Sequence, residues 1–349
     1  MTLFHSNSNT KSSLGESEGA CASIKWGIIG VGNVTEMKSG PAFYKTAHSE
    51  LVAVMRRDAE KAADYAQRHG VKKWYSDASA LIGDPEVDAV YIATPPDSHA
   101  RYAMEAMRAG KPVYVEKPMA RNYAECLEML KVSAETAMPL WVAYYRRTLP
   151  AFLKVKELLE TGAIGKPLAV NIRLYKQATE RGKTPEEMHW HVFPEIAGAG
   201  HFFDLASHQF DYLDFLFGPV TKVAGNAVNR AGLYPAEDTV SASWQHESGV
   251  IGSGSWCFVT DKLSEKDEIE ITGESGQISI SCFSPGVVKL ATRDGITEMG
   301  FTNPQHISQN LVKQVVDELR GFGKCDSTGI SAARTNWVLE EIVSDYYGD

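Results

Sequence analysis

Three side chains in this sequence could handle protons together. Lys117 stands in Val115-Glu116-Lys117-Pro118, directly after a short apolar run. Asp204 and His208 stand in Gly198-Ala199-Gly200-His201-Phe202-Phe203-Asp204-Leu205-Ala206-Ser207-His208. Their spacing of four puts Asp204 and His208 on one face of a helix. A lysine, a carboxylate and an imidazole are the groups that acid–base chemistry at a hydroxyl or carbonyl would use. The plain alternatives are a solvated surface lysine and a satisfied Asp–His pair, and neither motif alone decides between the readings.

A fourth stretch supplies a possible partner for that chemistry. Ile24 to Val34 (IKWGIIGVGNV) reads as an apolar strand ending in the turn Gly30-Val31-Gly32, with Asn33 opening the next element. Gly30 suits a sharp turn, and Gly32 lets a backbone approach a pyrophosphate without a Cβ in the way. The following helix start offers free N–H groups to the same anion. Thr35 occupies the place where a third small residue is usual.

These residues need a scaffold, and the chain alternates strand and helix up to about residue 143. The apolar runs Leu51 to Met55, Ala89 to Ala93, Val113 to Val115 and Leu140 to Ala143 read as buried parallel strands. Between them, Ala59, Ala62, Ala63 and Ala66 mark a helix stopping at Gly70, and Ala100, Ala103, Met104 and Met107 mark one closed by Gly110, with Asp97 as its cap. Such alternation predicts a doubly wound α/β domain over 24–143 with ligands at the carboxyl ends of its strands. Thr94, Pro95, His99, Glu116 and Lys117 lie at or after those ends, and with Gly30, Gly32, Asn33, Val34, Arg56 and Arg57 they are the candidate cofactor contacts.

Beyond Pro150 the pattern changes. A helix from Phe152 to Glu160 precedes alternating segments, Thr239 to Gln245, Val250 to Phe258, Glu268 to Thr272, Gln277 to Ser281 and Val287 to Ala291. Two helices, marked by Val312, Val315, Val316, Leu319 and by Leu339, Ile342, Val343, Tyr346, close the chain. Residues 144–349 therefore read as an α+β domain with a large, open, mostly antiparallel sheet for substrate binding and oligomerisation. Trp244, Trp256 and Phe258 on its strands are costly to leave in water, and this predicts a homo-oligomer formed through the open face.

Composition bounds the partners. With 349 residues and 44% hydrophobic content the chain has room for two cores. A formal net charge of −9 leaves no basic stripe for nucleic acid. No apolar run approaches the ~18 residues that a membrane span needs. The five cysteines are odd in number, scattered and without a CxxC, which indicates reduced thiols and a cytoplasmic setting. Residues 1–23, rich in Ser and Asn, read as a disordered tail rather than a leader.

Taken together, the glycine turn, Glu116-Lys117-Pro118 and Asp204-x-x-x-His208 resemble the glucose–fructose oxidoreductase / inositol dehydrogenase (Gfo/Idh/MocA-like) family of nicotinamide-dependent dehydrogenases. The resemblance runs from about residue 24 to 346. It implies a sugar, polyol or related diol as substrate, with Lys117, Asp204 and His208 catalytic. His208, near its ordinary pKa of ~6.5, would exchange a proton with the substrate oxygen. Lys117 would hydrogen-bond that oxygen and help set the imidazole's pKa, and Asp204 would orient the ring. The resemblance also implies a dimer or tetramer formed through the second sheet.

Departures fall at positions that resemble the substrate pocket, where Tyr145 stands for a common Asn and His191, after Trp190, for a common Arg. Tyr145, Trp190, His191 and His208 are thus the substrate-contact candidates. A zinc site made of His189, His191, His201 and His208 has no common spacing and no cysteine beside it, so no metal is expected. Arg56 and Arg57 stand where an NAD enzyme carries its ribose-binding carboxylate, which favours NADP(H) over NAD(H). Two other functions on this fold, a catalytically silent cofactor-binding regulator and a cofactor-assisted glycoside hydrolase, fit the joint presence of Lys117, Asp204 and His208 less well.

Overall fold

The computed structural model describes residues 23–348, so the stretch read as a tail lies, but for its last residue, outside the described residues. Six strands, β1 (Ile24–Ile29), β2 (Ser49–Met55), β3 (Lys73–Tyr75), β4 (Ala89–Ile92), β5 (Val113–Val115) and β6 (Leu140–Val142), form one sheet in the order β3-β2-β1-β4-β5-β6. Every pairing in it is parallel. Strands β4, β5 and β6 are buried along their whole length, as a sheet covered on both faces requires. The helix Ala59–His69 ends at Gly70 with φ 68°, the left-handed cap that its sequence indicates. The helix His99–Arg108 instead follows a short 3-10 turn, Pro96–Ser98, so Asp97 does not cap it.

The second sheet has eight strands: β7 (Pro167–Gln177), β8 (Val220–Val228), β9 (Thr239–His246), β10 (Ile251–Thr260), β11 (Lys266–Gly273), β12 (Gly276–Ile280), β13 (Val287–Thr292) and β14 (Gly295–Gly300). Their order is β14-β13-β12-β11-β7-β10-β9-β8, antiparallel except for the β7–β10 pair. Its inner face packs on helices Pro150–Glu160, His201–Phe217 and the second half of Gly329–Tyr347, through Ile172, Leu174, Phe202, Phe210, Trp256 and Ile342 among others.

Two expectations change here. Trp244, Trp256 and Phe258 are buried and face the helices of their own domain, so they give no reason for an oligomer. Turning large aromatic rings inward removes far more apolar area from water than leaving them on an open face would. The second change concerns the closing helices. Gln309–Leu319 returns to the first sheet and buries Leu311, Val312, Val315 and Val316 against Trp26, Phe43, Tyr114 and Trp141. The layers therefore do not divide at residue 144, and the chain crosses back to complete the first core.

Candidate active site

The carboxyl ends of β1 and β4 meet where the strand order reverses, the usual place for a ligand in an open α/β sheet. Gly30 has φ 95°, and a Cβ there would stand 2.6 Å from the Thr94 side chain and 2.8 Å from its backbone nitrogen. That glycine is demanded by the protein's own packing. Gly32 is different, because a Cβ added there would meet only the Gly30 carbonyl oxygen, at 4.0 Å. The open space beside Gly32 is room for a ligand rather than for a neighbouring side chain. Thr35 is buried, and its hydroxyl accepts from the Gly32 N–H at 2.9 Å and donates to the Gly32 carbonyl at 2.9 Å. The Gly32 N–H is therefore occupied within the loop, and the helix that follows spans only Asn33–Met37.

A cavity of about 820 Å³ runs from this turn to Lys117. Gly30, Gly32, Asn33, Val34, Arg56, Arg57, Thr94, Pro95, Glu116 and Lys117 all line it, as do Trp190, His191 and Asp204. Its volume and its lining fit a dinucleotide laid from the glycine turn toward Lys117. At the outer end Arg56 donates to the Val31 carbonyl at 3.2 Å, and neither Arg56 nor the exposed Arg57 has a carboxylate partner among the described residues. Asp58, next in sequence, pairs with Lys61 Nζ at 3.0 Å and caps the following helix through the Lys61 N–H. Lys61 and Arg101 also line the cavity and were not singled out in the sequence, where an isolated surface cation carries no signal.

His99 is not a cofactor contact. It is fully buried, with its ring nitrogens 3.0 Å from the Pro118 carbonyl oxygen and 2.7 Å from that of Thr94. Burial lowers its pKa, and the ring braces the loop after β4 against the loop after β5. Glu116 accepts from Tyr91 Oη at 2.6 Å, and burial raises its pKa despite that bond and the adjacent Lys117.

At the inner end the pairing differs from that expected. Lys117 Nζ donates to the Asp204 carboxylate and, at 3.0 Å, to the Asp204 carbonyl. His191 Nε2 lies 3.7 Å from the other Asp204 oxygen. Burial alone would raise the Asp204 pKa, but the Lys117 charge and His191 outweigh it and hold the carboxyl well below its ordinary range. Asp204 thus holds Lys117 rather than orienting His208, since a full cation within reach outcompetes an imidazole one helical turn away.

His208 is buried among rings. Tyr144, Tyr145 and Phe283 lie 5.9, 5.4 and 6.2 Å from it, centroid to centroid, and its Nδ1 has no hydrogen-bond partner. Burial first, then Arg146, Lys117 and Lys38, push its pKa far below the ordinary histidine value. The expectation of a near-normal pKa is corrected accordingly: the ring is neutral throughout the physiological range.

His191 stacks on Trp190 at 3.7 Å and on His189 at 4.2 Å, and burial brings its pKa to about 4. The other histidine of the region, His201, pairs with Glu180 at 3.5 Å. Tyr145 does not line the large cavity. It lines a second one of about 290 Å³, together with Lys38, Arg146, Phe283 and Asn303.

Comparison with known proteins agrees with this architecture. Residues 24–144 match the model of the Gfo/Idh/MocA oxidoreductase family, described as an NAD-binding Rossmann fold, and residues 152–279 match a Gfo/Idh/MocA C-terminal domain. An oxidoreductase of Formosa agariphila is 41% identical over 84% of this chain and 90% of its own. A 1,5-anhydro-D-fructose reductase of Ensifer adhaerens is 28% identical over 87% of this chain and 91% of its own. Among solved structures, a levoglucosan dehydrogenase in complex with NADH and levoglucosan superposes with a TM-score of 0.81 over 93% of this chain and 97% of its own. At 23% identity that likeness speaks for the fold. No helix among the described residues is long and apolar enough to cross a membrane.

Proposed function

This chain belongs to the Gfo/Idh/MocA oxidoreductase family, and from that premise we propose that it is an NADP(H)-dependent dehydrogenase or reductase. It transfers hydride between the nicotinamide and a carbinol or carbonyl carbon of a sugar, polyol or related diol. The observation that carries the reading is a single cavity holding the glycine turn and Arg56 at one end and the Lys117–Asp204 pair at the other. When bound, the cofactor supplies the hydride acceptor or donor.

The protein's own residues divide the remaining work. Asp204 fixes Lys117 at the inner end of the cavity, where its ammonium can donate to the substrate oxygen and stabilise negative charge there. His208, held neutral, is in the form that accepts a proton when a carbinol is oxidised. Trp190 and His191 form a stacked wall that can exclude water and lie against a sugar ring.

Preference for NADP(H) rests on Arg56 and Arg57. Neither makes an ion pair with a carboxylate among the described residues, while Asp58 is engaged by Lys61. A guanidinium bound to a 2′-phosphate contributes roughly 1.5–3 kcal/mol, or about ten- to a hundredfold in affinity. Titration of both cofactors into wild type and Arg56→Ala tests this. Equal affinities in the wild type would remove the preference. A panel of sugars, polyols and dihydrodiols followed at the nicotinamide absorbance tests the activity, and cofactor binding without turnover of any member would favour the silent regulator. The family resemblance further supports self-association through the uncovered face of the second sheet, which sedimentation at micromolar concentration tests.

A further inference from the structure

We propose that the smaller cavity beside His208 is an anion subsite and that the substrate carries a carboxylate there, as a uronic or aldonic acid does. The inference rests on the oxidoreductase reading and narrows its substrate class.

The central observation is Arg146. Its side chain is only 6% exposed, yet no carboxylate pairs with it among the described residues. Nε donates to the Cys282 carbonyl at 2.8 Å, and Nη1 has no partner. The guanidinium lies 5.1 Å from the Tyr145 ring centroid and 4.7 Å from that of Phe283, the two rings that also flank His208. A buried charge without a counter-ion is costly, and folded proteins seldom keep one without a use. Arg147, next in the chain and equally buried, shows the usual solution, a two-pronged pair with Asp211 at 2.8 and 2.7 Å.

The rest of the cavity is built to the same sign. Lys38 lines it, is exposed and makes no ion pair, and no acidic side chain lines the cavity among the described residues. Asp267, the acid anchoring the 282–283 loop, is occupied by the N–H groups of Cys282 and Phe283 at 3.0 and 2.7 Å. Asn303 adds a carboxamide whose buried Oδ1 has no partner and, as an acceptor, suits a hydroxyl of the same ligand rather than its anion. The volume of about 290 Å³ suits a single sugar-sized group, and the Tyr145 and Phe283 rings that line it also hold the Arg146 guanidinium in place. A planar guanidinium with a lysine beside it matches a carboxylate in shape and charge.

The placement also bears on catalysis. His208 is kept neutral by burial together with Arg146, Lys117 and Lys38. An anion between Arg146 and Lys38 would offset two of these three cations. The substrate's own carboxylate would thereby make His208 a better base at the moment it is needed.

The test titrates hexuronates, their parent hexoses and the hexose 6-phosphates into the full chain saturated with NADP⁺. Binding is measured by calorimetry and turnover at the nicotinamide absorbance. The proposal expects at least one uronate to bind about ten- to a hundredfold tighter than its parent hexose, the worth of one charge-assisted bond. That ratio should collapse in Arg146→Gln and shrink several-fold in Lys38→Gln, an exposed position where folding is not at stake. Uronates no tighter than hexoses, hexose 6-phosphates tighter than uronates, or an unchanged ratio in Lys38→Gln would each overturn it. Turnover of hexoses without a uronate preference removes the subsite and leaves the oxidoreductase reading standing. Uronate preference in binding without hydride transfer from any compound does the reverse.

Discussion

Asp204 and His208 sit one turn apart on the helix His201–Phe217, yet their surroundings are opposite. Asp204 faces the large cavity and is ionised beside Lys117, with His191 behind it. His208 is sealed among Tyr144, Tyr145 and Phe283 and has cations around it but no acid. Spacing on a helix sets which residues share a face. The elements packed against that face decide what each one does.

The contrast can be broken by removing either side chain. His208→Ala should lower kcat by about 10²–10⁴-fold, the ordinary contribution of an acid–base group. Asp204→Asn should lose less, since an amide still accepts from Lys117. Equal losses in steady-state rates with the true substrate would mean that the two positions act as one unit after all.

A second contrast, between Arg147 and Arg146, sharpens the first. Arg147→Gln leaves Asp211 buried without its cation and should destabilise the fold by about 3–5 kcal/mol. Arg146→Gln strands no carboxylate and should leave the urea midpoint near that of wild type or above it. Comparable destabilisation by both changes would show that Arg146 holds structure rather than a ligand.

The smallest effect concerns the first turn of the same helix. Glu237 accepts from the Gly200 N–H at 3.0 and 3.1 Å and from Tyr347, and burial pushes its pKa from 4.5 up to about 7. A raised folded-state pKa means that its contribution to stability is complete below about pH 4.5 and is lost as pH rises through about 7. Chemical denaturation across that window should show a decline that Glu237→Gln flattens, while kcat at fixed pH stays set by Lys117 and His208.

Much of this arrangement was legible in the residues. The glycine turn, the apolar strands and the order of the three motifs place Lys117 and Asp204 in one cavity with Gly32. The Lys117–Asp204 pair was not legible, because the 87 residues separating them carry no signal for which acid a strand-end lysine meets. The strand β7 shows Val170, Ile172 and Leu174 in alternation and was missed among the second-domain strands, whereas the exposed β14 offers no pattern at all. The apolar stripe of Gln309–Leu319 announces a buried helix but not which of two sheets it covers. Arg146 looked like one more arginine in Tyr145-Arg146-Arg147, and only the absence of a carboxylate partner among the described residues distinguishes it.

The account depends most on Lys117, the residue that joins the cofactor end of the cavity to its chemistry. The direct measurement is kcat for Lys117→Ala with the true substrate, taken beside the NADP(H) dissociation constant of the same preparation. The predicted result is a fall in kcat of about 10²–10⁴-fold with cofactor affinity essentially kept, because Lys117 engages Asp204 and not the phosphates. Near wild-type kcat with normal cofactor binding would contradict the mechanism and the role given to the whole inner end of the cavity.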